Sequence, residues 1–413
     1  MVSLGEQMAI SKDWPPEALT LRTALLCLAM AALLCLGSAD PVSSKEPVAL
    51  IGYTELSAAL PGGRHANVAS MRACVVGADG AGRRMVAEAL TSEKDTWTQF
   101  AGWSPDGRQQ VIGRGWESPE NARWEEEHKQ FRFAATGWLY DCYLVDVGSG
   151  AAKNVTGLER VSFYNSGLFF WPRDATRLGF QALIDGESHP FRMDREGRNK
   201  RDLTPESKEF AYGFSASPDG KRIAYHKNYR VYVADADGSH ARLIDTRQPF
   251  NFVPQWSPDG AWLLFLSGEH YNCHPHVVRA DGGVVRKLAD RGSYRGVVEY
   301  LDVPDFHGGS SDVPVWAADG RSIFYTAQID GAVELMRATL DGKVERLTTS
   351  PPGTLHYHPQ ASPDGRCLVY GSKRQGVRHL YVMRLADKAE RRISSHGAGR
   401  AAMWPHWQPR RAS

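Results

Sequence analysis

The tetrapeptide Ser-Pro-Asp-Gly returns along the chain, at Ser104-Pro105-Asp106-Gly107, Ser217-Pro218-Asp219-Gly220, Ser257-Pro258-Asp259-Gly260 and Ser362-Pro363-Asp364-Gly365, and an apolar run follows each copy. Ala317-Ala318-Asp319-Gly320 is a degenerate copy, and Trp171-Pro172-Arg173-Asp174 a more distant one. Proline presets φ and glycine supplies a residue with φ > 0, so each copy specifies a tight reversal between two extended segments. Recurrence at roughly 40 to 60 residues means one supersecondary module used many times.

Each module has the same internal order. In one of them, residues 252–256 form a short strand, Ser257-Pro258-Asp259-Gly260 turns the chain, residues 261–267 form a second strand, residues 276–280 a third, Asp281-Gly282-Gly283 a second turn and residues 284–288 a fourth strand. Four short antiparallel strands with no helical period between them predict a β-propeller blade. Innermost strands are expected near Phe100, Leu168, Phe214, Val253, Val313, Pro359 and Trp404, which predicts seven blades, with six or eight as the alternatives. The run Met403-Trp404-Pro405-His406-Trp407-Gln408-Pro409 is a first strand without successors, while residues 48–53, 70–77 and 83–89 read as second, third and fourth strands without a predecessor. One blade is therefore expected to be shared by the two termini, closing the ring and removing its open edges.

A propeller of this kind accounts for residues 40–413 as a single all-β domain. The formal net charge of +2, without a basic stripe or base-reading motif, gives no reason to expect a nucleic-acid partner. Residues 1–39 are different: residues 21–36 are almost wholly apolar, Lys12 and Arg22 lie on the N-terminal side, and Gly37-Ser38-Ala39 offers small residues for cleavage. This is the pattern of a signal peptide or retained N-terminal anchor, so the propeller is expected in the periplasm or outside the cell, with no membrane span in the mature chain. Cys74, Cys142, Cys273 and Cys367 are scattered without Cys-x-x-Cys spacing, which predicts small buried side chains, Cys142 above all.

The repeat also orients the chain. In an up-and-down blade the first-to-second and third-to-fourth turns share one face, so the Asp-Gly turns all fall together and the remaining loops fall on the opposite face. That opposite face is expected to collect His65, His128, His189, His226, His270, His274, His276, His307, His356, His358, His396 and His406, leaving His240 and His379 elsewhere. Such a bias points to metal binding or proton transfer. In Thr354-Leu355-His356-Tyr357-His358-Pro359 two histidines sit at i and i+2, which on a regular strand face the same way and suit a divalent metal. The run Glu269-His270-Tyr271-Asn272-Cys273-His274-Pro275-His276 is equally dense in ligands, with His276 a candidate fourth, and Asp302, Asp305, His307 and Asp312 occupy the long connection between the two segments. Arg230 and Arg295 are candidate partners for a carboxylate, and the run Glu125-Glu126-Glu127 reads as a short solvated helix.

The repeated Ser-Pro-Asp-Gly with its following aromatic strands resembles the TolB-type (PD40) propeller repeat from about residue 95 onward. The segment His356-Tyr357-His358-Pro359, just before a Ser-Pro-Asp-Gly turn, also resembles the oligogalacturonate lyases, propellers in which a His-Pro-His-Pro segment helps to hold manganese. The resemblance implies a divalent ion, manganese first and zinc or nickel as alternatives, on His356, His358 and His307; the glutamine that family carries three positions before its first histidine is Gly353 here. It implies β-elimination from an acidic oligosaccharide, with His270 or His274 as base and Arg230 or Arg295 stabilising the enolate-like charge. The competing expectation is a non-catalytic TolB-like propeller that binds a protein or a cell-envelope polymer. A serine-peptidase propeller is not expected, since Gly213-Phe214-Ser215-Ala216-Ser217 ends in the wrong residue for a nucleophile elbow.

Overall fold

A computed structural model describes residues 48–57, 70–128, 138–157, 168–184, 187–269, 272–294 and 312–409. The chain divides into Met1–Val48 and Ala49–Ser413, and the strands all belong to the second unit. The expected leader, together with His65, His270, Arg295, Asp302, Asp305 and His307, lies outside the described residues.

The described residues form strands in sequential groups. They are β1 (Leu50–Ser57), β2 (Arg72–Gly77) and β3 (Arg84–Met85); β4 (Thr96–Trp103), β5 (Gln109–Glu117), β6 (Trp138–Asp146) and β7 (Ala152–Asn154); β8 (Phe169–Trp171), β9 (Asp174–Ile184), β10 (Glu187–Asp194) and β11 (Arg201–Asp202). There follow β12 (Ala211–Ala216), β13 (Arg222–Lys227), β14 (Arg230–Asp235) and β15 (Arg242–Leu243); β16 (Asn251–Trp256), β17 (Trp262–Ser267), β18 (His274–Arg279) and β19 (Val285–Lys287). The last are β20 (Val315–Trp316), β21 (Ser322–Ile329), β22 (Ala332–Thr339) and β23 (Val344–Arg346); β24 (Leu355–Ala361), β25 (Cys367–Arg374), β26 (Val377–Arg384) and β27 (Glu390–Arg392); and β28 (Arg400–Trp407). Helix α1 (Pro119–His128) contains the Glu125-Glu126-Glu127 run, as its composition predicts.

Four of these groups are separate antiparallel four-stranded sheets. The rest join a 12-stranded sheet through single parallel pairings, Val333↔Leu355 and Arg378↔Ala401. Strand β28 pairs antiparallel with β1, so the C-terminal strand does complete a sheet begun by the N-terminal ones. An ion cluster around the buried Glu55 reinforces that seam: Arg400 on β28 donates through Nε (3.2 Å) and a terminal nitrogen (3.0 Å) to Glu55 on β1, which also holds Arg83.

The Ser-Pro-Asp-Gly turns work as their chemistry requires. In the first, Gly107 (φ +65°) donates to the Ser104 carbonyl (2.8 Å), and Asp106 accepts from the Ser104 hydroxyl (2.5 Å) and the Arg108 N–H (3.0 Å). The hydroxyl of Ser104 in turn accepts from Gln109 N–H (2.8 Å), starting β5. The same pattern recurs at Ser217, Ser257 and Ser362. Between neighbouring groups, apolar faces meet: Phe324 and Leu335 of β21 and β22 pack with Leu368, Tyr370 and Met383 of β25 and β26. Cys74, Cys142 and Cys273 are buried in such layers and Cys367 is half-buried, all as free thiols.

The first strand of several groups carries an irregularity that strand periodicity does not predict. Register shifts interrupt β4, β12, β16, β24 and the β28–β1 pair, and the chain passes through φ > 0 at Gly213, Val253, His358 and Trp404. A bulge of this kind turns the following side chains and bends the strand. The freed N–H is taken up by a side chain from the preceding group: Val253 donates to His226 Nδ1 (3.2 Å), Phe100 to the Thr54 hydroxyl (3.0 Å) and His358 to Asp312 (2.9 Å).

Candidate functional site

The bulge in β24 decides what its two histidines do. On a regular strand His356 and His358 would point together, but His358 adopts φ +51° and the pairing with β25 slips between Tyr357 and Gln360. The expected shared face is therefore corrected. His356 turns toward the β22–β23 side, and His358 turns toward Asp312 and Trp404.

His358 is the better prepared for chemistry. Its backbone N–H and its ring Nδ1 both reach Asp312 Oδ1, at 2.9 and 3.3 Å. The other oxygen of Asp312 accepts from the Thr326 hydroxyl (2.6 Å) and from Tyr294 (3.1 Å). The fully buried Arg291 donates to the carbonyl (2.7 Å) and hydroxyl (2.9 Å) of Thr326 and lies over the Tyr294 ring. Burial alone would push the Asp312 carboxyl up, but the His358 imidazole, the Arg291 charge and the Thr326 hydroxyl together hold it below the usual range. An ionised Asp312 fixes the proton of His358 on Nδ1, which leaves Nε2 with a bare lone pair. That nitrogen is buried and has no hydrogen-bond partner among the described residues. The half-buried His406, on β28 rather than in the connection where it was expected, has its basicity reduced to about 4 by burial and by the neighbouring His358.

His356 has a different environment. Its Nε2 is 3.0 Å from the Ser350 hydroxyl and 3.8 Å from Glu334. Burial, with a smaller effect from Arg374, depresses its pKa to about 4, so the ring is neutral at ordinary pH. Glu334 is itself fully buried and accepts from Arg346, Thr348 and both the N–H and hydroxyl of Ser350.

The other predicted residues are spread out. His274 is engaged at both nitrogens, with Asn272 (2.7 Å) and with the N–H of Arg291 (3.2 Å), and burial lowers its pKa. His276 stacks on Phe265 and bonds the His274 carbonyl through Nδ1 (2.9 Å). Arg230 is exposed at the head of β14, in a different sheet from β24. Further placements depart from the sequence reading: His226 lies near the end of β13 and accepts from the Val253 N–H at the bulge, and His379, expected away from the other histidines, stacks on His396 at 5.6 Å. Glu334, Ser350, Thr326, Tyr294 and Arg291 were not singled out by sequence, because each is an ordinary residue in an ordinary strand or connection. Asp312 was, and it is the residue that matters most to His358.

A divalent ion requires several converging ligands. Among the described residues no group of three or more His, Cys, Asp and Glu side chains is disposed to hold one. His358 fits the part of a single ligand, with its lone pair free and a carboxylate behind its other nitrogen, while His356 as placed does not join it.

Residues 217–410 match the TolB beta propeller domain. An uncharacterized protein of Agrobacterium fabrum is 26% identical over 266 residues, covering 62% of this chain and 86% of its own. The Tol-Pal system protein TolB of Bordetella pertussis is 27% identical over 166 residues, which span 39% of this chain and 34% of that protein. Among solved structures, an oligogalacturonate lyase in complex with manganese superposes with a TM-score of 0.54 at 16% identity, over 79% of this chain and 81% of that one. An oligogalacturonate lyase from Vibrio parahaemolyticus gives a TM-score of 0.51 at 15% identity, over 74% and 83%. At these identities the structural likeness concerns the fold.

Proposed function

We propose that this chain, a TolB-like β-propeller repeat protein, is an exported seven-bladed propeller, closed by the pairing of β28 with β1, that acts on an acidic oligosaccharide at the Asp312–His358 pair. One observation carries the reading: the Asp312 carboxylate holds His358 by backbone and ring together and leaves Nε2 buried and without a hydrogen-bond partner among the described residues. β-Elimination from a uronate needs a base to take the proton α to the carboxylate, and an imidazole whose Nδ1 is spent on a carboxylate can offer Nε2 for that step. Asp312 supports the imidazolium formed after transfer, as an orienting carboxylate does in other His–Asp pairs. His358 thus replaces His270 or His274 as the favoured base.

A divalent ion, manganese in the related lyase structure, would lower the charge on the enolate-like oxygen when bound. Because the one free lone pair of His358 is assigned to the base, the sequence-predicted His307 is the residue proposed to hold it, and His356, bonded to Ser350, takes no part. The test is product formation from oligogalacturonate, followed as the unsaturated chromophore, together with metal analysis of the purified protein. His358→Ala is expected to abolish the product; unchanged turnover in that variant, in protein that melts as the parent does, refutes the assignment. The alternative of a non-catalytic propeller that binds an envelope polymer or protein is favoured by the TolB similarity, and it predicts binding of oligouronate without any unsaturated product.

A further inference from the structure

The buried group behind His356 faces a cavity that the proposed reaction does not use. The cavity has a volume of about 370 Å³ and lies between the connection 347–354 and strands β25–β27. Its wall carries the hydroxyl-bearing residues Thr349, Ser350 and Thr354, and its rim carries Arg374, Lys388 and Glu390, over the apolar Leu347 and Met383.

Ser350 is held there with unusual firmness for a residue in a connection. Its N–H donates to Glu334 (2.6 Å), its hydroxyl donates to the second Glu334 oxygen (3.1 Å), and that hydroxyl lies 3.0 Å from His356 Nε2. His356 Nδ1 has no partner among the described residues, and a buried acceptor without one costs less than a buried N–H without one. The proton therefore sits on Nε2 and is donated to Ser350. The Ser350 oxygen, having given its own proton to Glu334, keeps a lone pair for a donor in the cavity. Arg374 lies over the Tyr381 ring and reaches Glu390 at 3.0 Å, and Lys388 spans to Glu345 (2.9 Å) and to the Arg346 carbonyl (3.0 Å). Two cations, one fixed hydroxyl at Ser350 with those of Thr349 and Thr354 beside it, and one carboxylate acceptor around an apolar floor are complementary to a small molecule that carries both an acid group and several hydroxyls.

We infer that this cavity binds one uronate unit, with the carboxylate on Lys388 and Arg374 and the hydroxyls on Thr349, Ser350 and Glu390. The choice of a uronate over other hydroxy acids rests on the acidic-oligosaccharide reading above; the site itself does not. It gives His356 the role of a positioning residue for Ser350 and separates it from the chemistry at His358.

Calorimetric titration of the full chain with monomeric galacturonate tests this. Saturable binding at one site is expected, with weaker binding of galactose, which lacks the acid. The double substitution Lys388→Met and Thr349→Val is expected to weaken galacturonate binding by about tenfold or more without lowering the melting temperature. His358→Ala is expected to bind the monomer as the parent does. No saturable binding, equal binding in the double variant, or loss of monomer binding in His358→Ala each overturns the inference. Monomer binding that depends on Lys388 and Thr349, in a protein that makes no unsaturated product, leaves this site standing and removes the lyase reading instead.

Discussion

His356 and His358 stand on one strand with a single residue between them, and the fold puts them to opposite uses. His356 is wholly buried in regular β conformation, neutral, with its donating nitrogen spent on Ser350. His358 sits in a left-handed bulge, with its donating nitrogen spent on Asp312 and its other nitrogen unbonded. His356 is fully buried and His358 nearly so, and both have a carboxylate nearby, so a neighbouring carboxylate does not by itself distinguish them. The difference is backbone: one residue at φ > 0 rotates the second imidazole away from the first, and only the second meets a carboxylate at Nδ1, with Nε2 left over.

The hardest blow to this contrast is Asp312→Asn. The amide nitrogen then faces the donors Thr326, Tyr294 or His358, and a buried acceptor is lost, so unfolding free energy in urea is expected to fall by about 3 kcal/mol and product formation to disappear. A cost under about 0.5 kcal/mol means that the pair does not form.

The pH dependence of stability sharpens the other side. His356 titrates near 6.5 in the unfolded chain and at about 4 when folded, because burial disfavours its charge. Between those values the unfolded state binds more protons, so stability rises with pH and is lost as pH drops from 6.5 toward 4. Full passage through the window is expected to remove about 3 kcal/mol for this residue, and His396 and His406, also depressed to about 4 by burial, act in the same direction. Urea unfolding of His356→Gln across the same range is expected to show a shallower slope than the parent; an identical slope means that His356 is charged in the folded protein.

The smallest effect isolates the backbone. His358→Gly and His358→Ala both delete the base, but alanine retains the strain of φ +51°, so the glycine variant is expected to be the more stable by about 1 kcal/mol. At His356, where φ is ordinary, the order reverses, with Ala at or above Gly. Equal stabilities at 358 argue against the bulge.

The strands and turns were legible because their causes are local. Asp106 and Ser104 bond within the tetrapeptide that contains them, and apolar alternation tells each strand which sides to bury. The bulges were not. Gly213 announces one, but Val253, His358 and Trp404 occupy the same conformation with side chains that give no sign of it. His379 was misplaced for a related reason: its partner His396 follows the next strand and meets it only when β26 and the connection to β28 fold together.

From the sequence alone, turn chemistry and strand alternation determined an all-β repeat protein and a segment rich in histidine, since those depend on neighbours a few residues apart, and the strands left over at the two ends pointed to the sheet that β28 and β1 share. Which of those histidines carries a free lone pair, and which is a support behind Ser350, was settled only by tertiary structure. Asp312 and Glu334 arrive from other strands and connections, and a carboxylate gives an imidazole its tautomer only through distance and direction in space.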